Sequence, residues 1–162
     1  MMRDVVSDTG QLISFERIPG GFAIMRRIVR IVIIPPQVLE ELQSGFPLGA
    51  DYLTRHGIGD FIRVEPAPPP PPAVLTLDTG ERYAISLAVA RNLPLLVEDR
   101  KARLIADRLG LKSTGALGMI LAACETGRLS TMEAKACIEA LHQSGRISGH
   151  LQDMALARVT GH

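Results

Sequence analysis

Tryptophan is absent from this chain of 162 residues, and the aromatic residues together make up only 4% of it. A surface on which nucleic-acid bases stack needs aromatic faces, so that mode of binding is poorly supported. Long apolar runs are also missing. The longest candidate, residues 28–34, is cut by Arg30 and closed by Pro35-Pro36, well short of the ~18 residues a membrane span requires. The first residues show no basic-then-apolar signal pattern, so no membrane association and a cytoplasmic location are expected. Charge of one sign is lacking as well. Eighteen Lys and Arg stand against 17 Asp and Glu, a net charge of +1, which is not the basic excess of a duplex-coating protein. A local basic patch remains compatible with that balance. Cysteine is scarce: Cys124 and Cys137 lack metal-type spacing and read as buried free thiols in a reducing compartment. His56, His142, His150 and His162 are scattered, form no zinc-like cluster and are expected on the surface.

What is present is a good supply of core. Hydrophobic residues are 46% of the chain, and the length suits a single domain over residues 1–162. Two β-branched residues, Val5-Val6, run into Ser7-Asp8-Thr9-Gly10, a strand over 4–7 followed by a break. A helix follows over about 9–18, then a stop at Pro19-Gly20-Gly21, a short helix over 22–27 and a buried strand over 28–34. Arg26, Arg27 and Arg30 lie together there, either as a solvated helix face or as a phosphate-binding patch. Pro35-Pro36 opens a helix that continues over 37–44. Residues 45–59 read as irregular with one short helix, and 61–65 as a short strand. Six of the seven positions from 66 to 72 are proline, an extended polyproline segment read as a stiff surface loop.

Further strands are expected over 93–97 and 111–114, with helices over 81–91 and 101–109. Residues 115–162 read as a helical C-terminal part, with helices over 115–125, 131–143 and about 148–159. Ser130 and Glu133 have capping-box spacing. Met119, Ile120, Met132, Ile138 and Leu141 supply apolar surface for core packing or a subunit interface. Strands alternating with helices predict an α/β fold with a mostly parallel central sheet flanked by helices.

A parallel sheet gathers the carboxyl ends of its strands on one edge, where ligands bind in open α/β folds. Asp8 ends the first strand, Asp99 ends a later one, and Glu81 opens the helix between. Glu41 joins them if its helix lies across that edge. Taken alone, Asp8 reads as a helix cap before it reads as a cation ligand. Several carboxylates together need a cation to stay ionised, and an all-oxygen set suits Mg²⁺ or Mn²⁺. Such ions activate water for attack on a phosphodiester and stabilise the leaving oxygen. Asp-Thr-Gly occurs at 8–10 and again at 78–80, the repeated signature of aspartic proteases. The helical segments after Gly80 oppose the all-β body which that chemistry needs.

Five segments in register carry a resemblance to a known family. They are Val5-Val6-Ser7-Asp8-Thr9, Ile34-Pro35-Pro36-Gln37-Val38-Leu39-Glu40-Glu41-Leu42, Gly80-Glu81 ahead of Ala84-Ile85-Ser86-Leu87-Ala88, Leu95-Leu96-Val97-Glu98-Asp99-Arg100-Lys101-Ala102-Arg103, and Thr114-Gly115-Ala116-Leu117-Gly118. Gly145-Arg146-Ile147-Ser148 also fits. The chain resembles the PIN-domain superfamily of metal-dependent ribonucleases, which includes VapC-type toxins, and within it an uncharacterised branch. The resemblance implies a three-layer PIN-like fold and a divalent-metal-dependent endoribonuclease. Asp8, Glu41, Glu81 and Asp99 would be the metal ligands, with Thr9 orienting Asp8 or a metal-bound water. Arg100 and Arg103 would reach phosphate. It further implies an RNA substrate, a small antitoxin partner and a homodimer.

Three departures stand out. Gly10 occupies a position usually held by Ser or Asn, Tyr83 replaces a common second acid, and the proline run replaces a short connection. Asp78 is an additional acid beside the set. The alternative reading is a catalytically weakened PIN-fold protein that binds RNA or protein.

Overall fold

The computed structural model describes residues 2–47 and 49–161; His162 lies outside them. The strands are β1 (Val5–Ser7), β2 (Val32–Ile34), β3 (Ile62–Val64), β4 (Leu95–Leu96) and β5 (Ser113–Thr114). The helices are α1 (Thr9–Glu16), α2 (Gly21–Ile28), α3 (Pro36–Ser44), α4 (Tyr52–Arg55), α5 (Thr79–Arg91), α6 (Arg100–Arg108), α7 (Ala116–Glu125), α8 (Thr131–Gln143) and α9 (Gly149–Val159). A 3₁₀ turn covers Pro72–Val74. No helix among the described residues is long and apolar enough to cross a membrane.

The chain forms two compact units. The first comprises the residues up to Leu12 and Val29–Thr114. It holds a five-stranded sheet in the order β3-β2-β1-β4-β5, with every pairing parallel. This is the expected α/β architecture of a parallel sheet flanked by helices. β1 is central and buried along its length, as are β2 and β4; parallel strands covered on both faces read as unbroken apolar runs. Val6 pairs with Ile33 on one side and Leu95 on the other. The strand order reverses at β1, so the crevice at its carboxyl end is where such sheets bind ligands. α5 packs on β1 and β4 and beside α3. It ends at Asn92, a left-handed residue with φ 50° whose N–H closes the last turn on Ala88 and Val89.

Several strands are shorter than the apolar runs that predicted them. The run 28–34 breaks because Ile28 still belongs to α2, and strand pairing begins only at Val32, opposite Val5. The run 93–97 starts pairing after Pro94, which has no N–H to donate. α5 starts at Thr79, two residues ahead of the expected start, which places Gly80 inside its first turn. The proline run is extended and largely exposed, as expected of a surface loop, and is tied down where Ser86 Oγ donates to the Pro68 carbonyl at 2.7 Å.

The second unit comprises Ile13–Ile28 and the chain from Gly115 onward, and it is helical. α7, α8 and α9 pack on one another. Met119, Ile120, Ile138 and Leu141 are core residues there, whereas Met132 is 81% exposed. The expected capping box is present: Ser130 Oγ accepts from the Glu133 N–H at 3.1 Å, and Glu133 accepts from the Ser130 N–H at 2.8 Å.

Arg27 and Arg30 are exposed, and each is held by a carboxylate. Arg27 binds Glu133 at 2.6 Å and the Arg128 carbonyl at 2.6 Å, holding the Glu133 carboxyl down to about 2. Arg30, in the first unit, grips Asp4 through two bonds of 2.7 and 2.8 Å. Cys124 and Cys137 are free, but only Cys137 is fully buried, and burial pushes its thiol up to about 11. His56 corrects the expectation of surface histidines, because it is half-buried against the rings of Tyr52 and Phe46 at 4.6 and 5.6 Å. His142 is also half-buried, with its ring near the Ile147 carbonyl, while His150 is exposed.

Candidate active site

All the candidate acids lie in the first unit. Asp8 leaves β1 with its N–H bonded to the Leu96 carbonyl of β4 at 3.1 Å. Its carboxylate is 6% exposed, and Oδ1 accepts from the Gln11 N–H at 3.0 Å. Asp8 is therefore the cap of α1 as well as an acid at the sheet edge. Asp99 leaves the neighbouring strand β4 and repeats the device: its Oδ2 accepts from the Ala102 N–H at 3.0 Å and caps α6. Because β1 and β4 pair in parallel, with Ser7 opposite Leu96, both aspartates leave the same edge of the sheet.

Glu81 is the third residue of α5 and is half-buried. Burial, then a hydrogen bond that the protonated Glu81 donates to the Asp78 carboxylate, then the charges of Asp78, Asp99 and Asp8 push it up to about 8. Asp8, Asp78, Glu81 and Asp99 thus share one electrostatic neighbourhood, in which burial first and like charge second favour the protonated form of Glu81. Asp78 stands at the cap position of α5, but its side chain makes no capping bond. Both Asp-Thr-Gly segments open helices, α1 at Thr9 and α5 at Thr79, around a parallel sheet and not in an all-β body, so the protease signature is incidental.

Glu41 reaches the same edge by a different route. Its Oε1 accepts from the Gly80 N–H at 2.8 Å, and its Oε2 accepts from the Thr9 hydroxyl. Gly80 is buried, and a Cβ there would stand 2.9 Å from the Glu41 carboxyl carbon. The glycine is a slot for the carboxylate. Thr9 donates its hydroxyl to Glu41. Glu40, one residue earlier, is exposed and makes no hydrogen bond or ion pair among the described residues.

Two residues of this edge were not among the sequence candidates. Gln11 is fully buried; its side-chain amide donates to Glu98 Oε2 at 3.2 Å while its backbone N–H holds Asp8. The spacing Asp8-x-x-Gln11 is that of a capping box, the signal that marks it. Glu98, next to Asp99, has no such local signal.

Among the described residues, no three His, Cys, Asp or Glu side chains form a group that could hold a metal ion as they stand. Asp8, Asp99 and Glu41 each direct an oxygen to a backbone N–H. The donor chemistry nonetheless fits a hard divalent cation, since every donor is a carboxylate oxygen and the charges acting on Glu81 are all negative.

Residues 4–160 match the family model described as DUF3368, PIN domain. A similar solved structure is that of a PilT N-terminus domain protein, SSO1118, from the hyperthermophilic archaeon Sulfolobus solfataricus P2. It shares 21% sequence identity with a TM-score of 0.54, over 75% of this chain and 93% of that one. At that identity the likeness concerns the fold. No curated protein matches the sequence.

Proposed function

The chain belongs to the PIN-domain family, a nuclease superfamily, and on that premise we propose that its acidic sheet edge is the centre of an Mg²⁺- or Mn²⁺-dependent ribonuclease. The observation that carries the reading is the convergence of Asp8, Asp78, Glu81 and Asp99, with Glu41 pinned beside them by Gly80 and Thr9. Asp8, Glu81 and Asp99 would hold the metal, with Glu41 completing the set. A bound divalent ion supplies charge neutralisation, activation of the attacking water and stabilisation of the leaving oxygen.

The chain's own residues prepare that site. The Gln11 and Ala102 N–H groups aim the two aspartates from helix starts. Glu81 holds a proton that a cation must displace. Thr9 and the Gly80 N–H orient Glu41. Gly10 brings no side chain to the turn after Asp8.

The test is cleavage of single-stranded RNA in the presence of Mn²⁺ or Mg²⁺ by wild type and by Asp99→Asn. Asparagine keeps a capping oxygen for Ala102, so the fold should survive while divalent-dependent cleavage is lost. Full activity in Asp99→Asn would sink the assignment. A role as the toxin of a toxin–antitoxin pair, with a small antitoxin partner and a homodimeric state, is a narrower form of the same reading. Toxicity on expression that a co-expressed neighbouring open reading frame relieves would support it.

The amide-bound carboxylates favour one second reading, an RNA- or protein-binding module with a weakened site. Calorimetric titration of Mn²⁺ separates the two. Heat that disappears in Asp8→Asn supports the nuclease, and no metal-dependent heat in either protein supports the binding module.

A further inference from the structure

The proline run at residues 66–72 has no part in the acidic edge. It leaves the carboxyl end of β3, the outermost strand of the sheet and two strands away from β1. Its entry is fixed: the Glu65 N–H donates to the Ile34 carbonyl at 3.0 Å, and the Glu65 carboxylate is held by Arg91 of α5. Its middle is fixed by Ser86, whose hydroxyl donates to the Pro68 carbonyl at 2.7 Å. Its exit is fixed by the 3₁₀ turn, where buried Val74 donates its N–H to the Pro71 carbonyl at 3.1 Å. Between those points the chain is extended. Pro71, with φ −68° and ψ 160°, lies near the polyproline II ideal of about −75° and 145°.

A polyproline II helix repeats every three residues, and the exposure of this run follows that period. Pro66, Pro69 and Pro72 are exposed, whereas Ala67 and Pro70 are half-buried. One ridge therefore faces outward, about 19 Å long from Pro66 to Pro72. The carbonyls of Pro66, Pro69 and Pro70 accept no hydrogen bond among the described residues. Apolar surface continues at both ends of the ridge, where Val64 is 38% exposed and Leu75 57%. Arg63 precedes Pro66 by three residues, giving the spacing Arg63-x-x-Pro66-x-x-Pro69. Its exposed guanidinium meets Glu65 only at 4.0 Å, a carboxylate that Arg91 already holds. A surface pair of that kind contributes little, so Arg63 can turn to another carboxylate.

We infer that residues 63–72 are a docking ligand for a protein domain whose groove is lined by aromatic rings and ends in an acidic pocket. The rings take the ridge of Pro66 and Pro69, Trp or Tyr donors beside them bond the open carbonyls, and the acidic pocket takes Arg63. Such grooves select proline-rich segments because the ligand is already helical and loses little entropy on binding. Here the fold holds the ligand at three points and lowers that cost further. The partner must read the run as polyproline II, because residues 68–72 have no N–H and cannot add to a sheet as a strand. A second copy of this chain does not supply the groove, since none of its four Phe and two Tyr residues is exposed. The inference is independent of the nuclease reading.

The test is isothermal titration calorimetry of the whole protein with a recombinant SH3 domain that binds Arg-x-x-Pro-x-x-Pro ligands, with urea unfolding as the folding control. Wild type should bind, and no more weakly than a free peptide of residues 63–72. The double variant Pro66→Ala/Pro69→Ala should lose detectable binding, and Arg63→Ala should weaken it about tenfold. Pro70→Ala, on the half-buried ridge, should leave binding unchanged.

Binding by the peptide but not by the whole protein would show the ridge to be occluded in the fold and overturn the inference, as would binding by neither. Equal losses in Pro66→Ala/Pro69→Ala and in Pro70→Ala would overturn the assigned face. Self-association in sedimentation that Pro66→Ala/Pro69→Ala abolishes would give the run to a second copy and overturn the partner.

Discussion

Replacing Gly80 by alanine should destabilise the protein while Glu41 is present and stabilise it once Glu41 is removed. The Gly80 N–H donates to Glu41 Oε1 at 2.8 Å, and a new Cβ would stand 2.9 Å from the carboxyl carbon. The Glu41 side chain is exposed and can swing away, so the steric cost is small; the cost is the lost hydrogen bond. A bond to a charged acceptor contributes about 1.5–3 kcal/mol, and exposure argues for the lower end, about 2. Against this, alanine in place of glycine gains up to about 1 kcal/mol in a helix. Gly80→Ala should therefore lose about 1 kcal/mol in wild type and gain up to about 1 in Glu41→Ala, a coupling of about 2 kcal/mol. For a chain of this size each kcal/mol shifts Tm by about 2–4 °C, so the difference between backgrounds is readable. Urea unfolding of the four proteins measures it directly. If Gly80→Ala has the same sign and size in both backgrounds, the carboxylate slot is not what requires glycine here, and the placement of Glu41 at the site falls with it.

Two other expectations concern pH and packing. Glu81 is raised from 4.5 to about 8, so its contribution to stability is full below its unfolded pKa and is lost as pH rises through the folded one. In EDTA the urea midpoint should fall between pH 5 and pH 9, and Glu81→Gln should flatten that fall; parallel profiles would refute the shift. Gly21→Ala should cost about 3 kcal/mol, because its Cβ would lie 2.8 Å from the Phe15 carbonyl carbon and 3.1 Å from Ile18 Cβ. Backbone cannot rotate aside as the Glu41 side chain can, and a loss under 1 kcal/mol by urea unfolding would contradict the contact.

Much of this molecule is written in local pattern. Val5-Val6, Leu95-Leu96 and the glycines between helices locate the elements. Asp8 and Asp99 follow strands in sequence, so once strand pairing is parallel their shared edge follows. The capping box at Ser130 and Glu133 was legible for the same reason, since its partners lie three residues apart. Elsewhere the deciding partner was distant. Arg27 is exposed, as a solvated helix face would be, but the carboxylate that holds it, Glu133, is 106 residues away and invisible from its neighbourhood. The strand over 28–34 began late because pairing with β1, and not apolarity, sets where a ladder starts.

The sequence alone determined the order of elements and the absence of a membrane-spanning run, because those depend on composition and on spacings within a few residues. Only the tertiary structure decided what the acids do to one another. Glu41 and Gly80 are 39 residues apart, and Thr9 is 32 from Glu41; their union needs α3 and α5 packed side by side. The raised pKa of Glu81 likewise arises only where folding buries the carboxyl and brings Asp78, Asp99 and Asp8 near it. Charge–charge energy depends on distance and burial, and neither is a property of a chain until it folds.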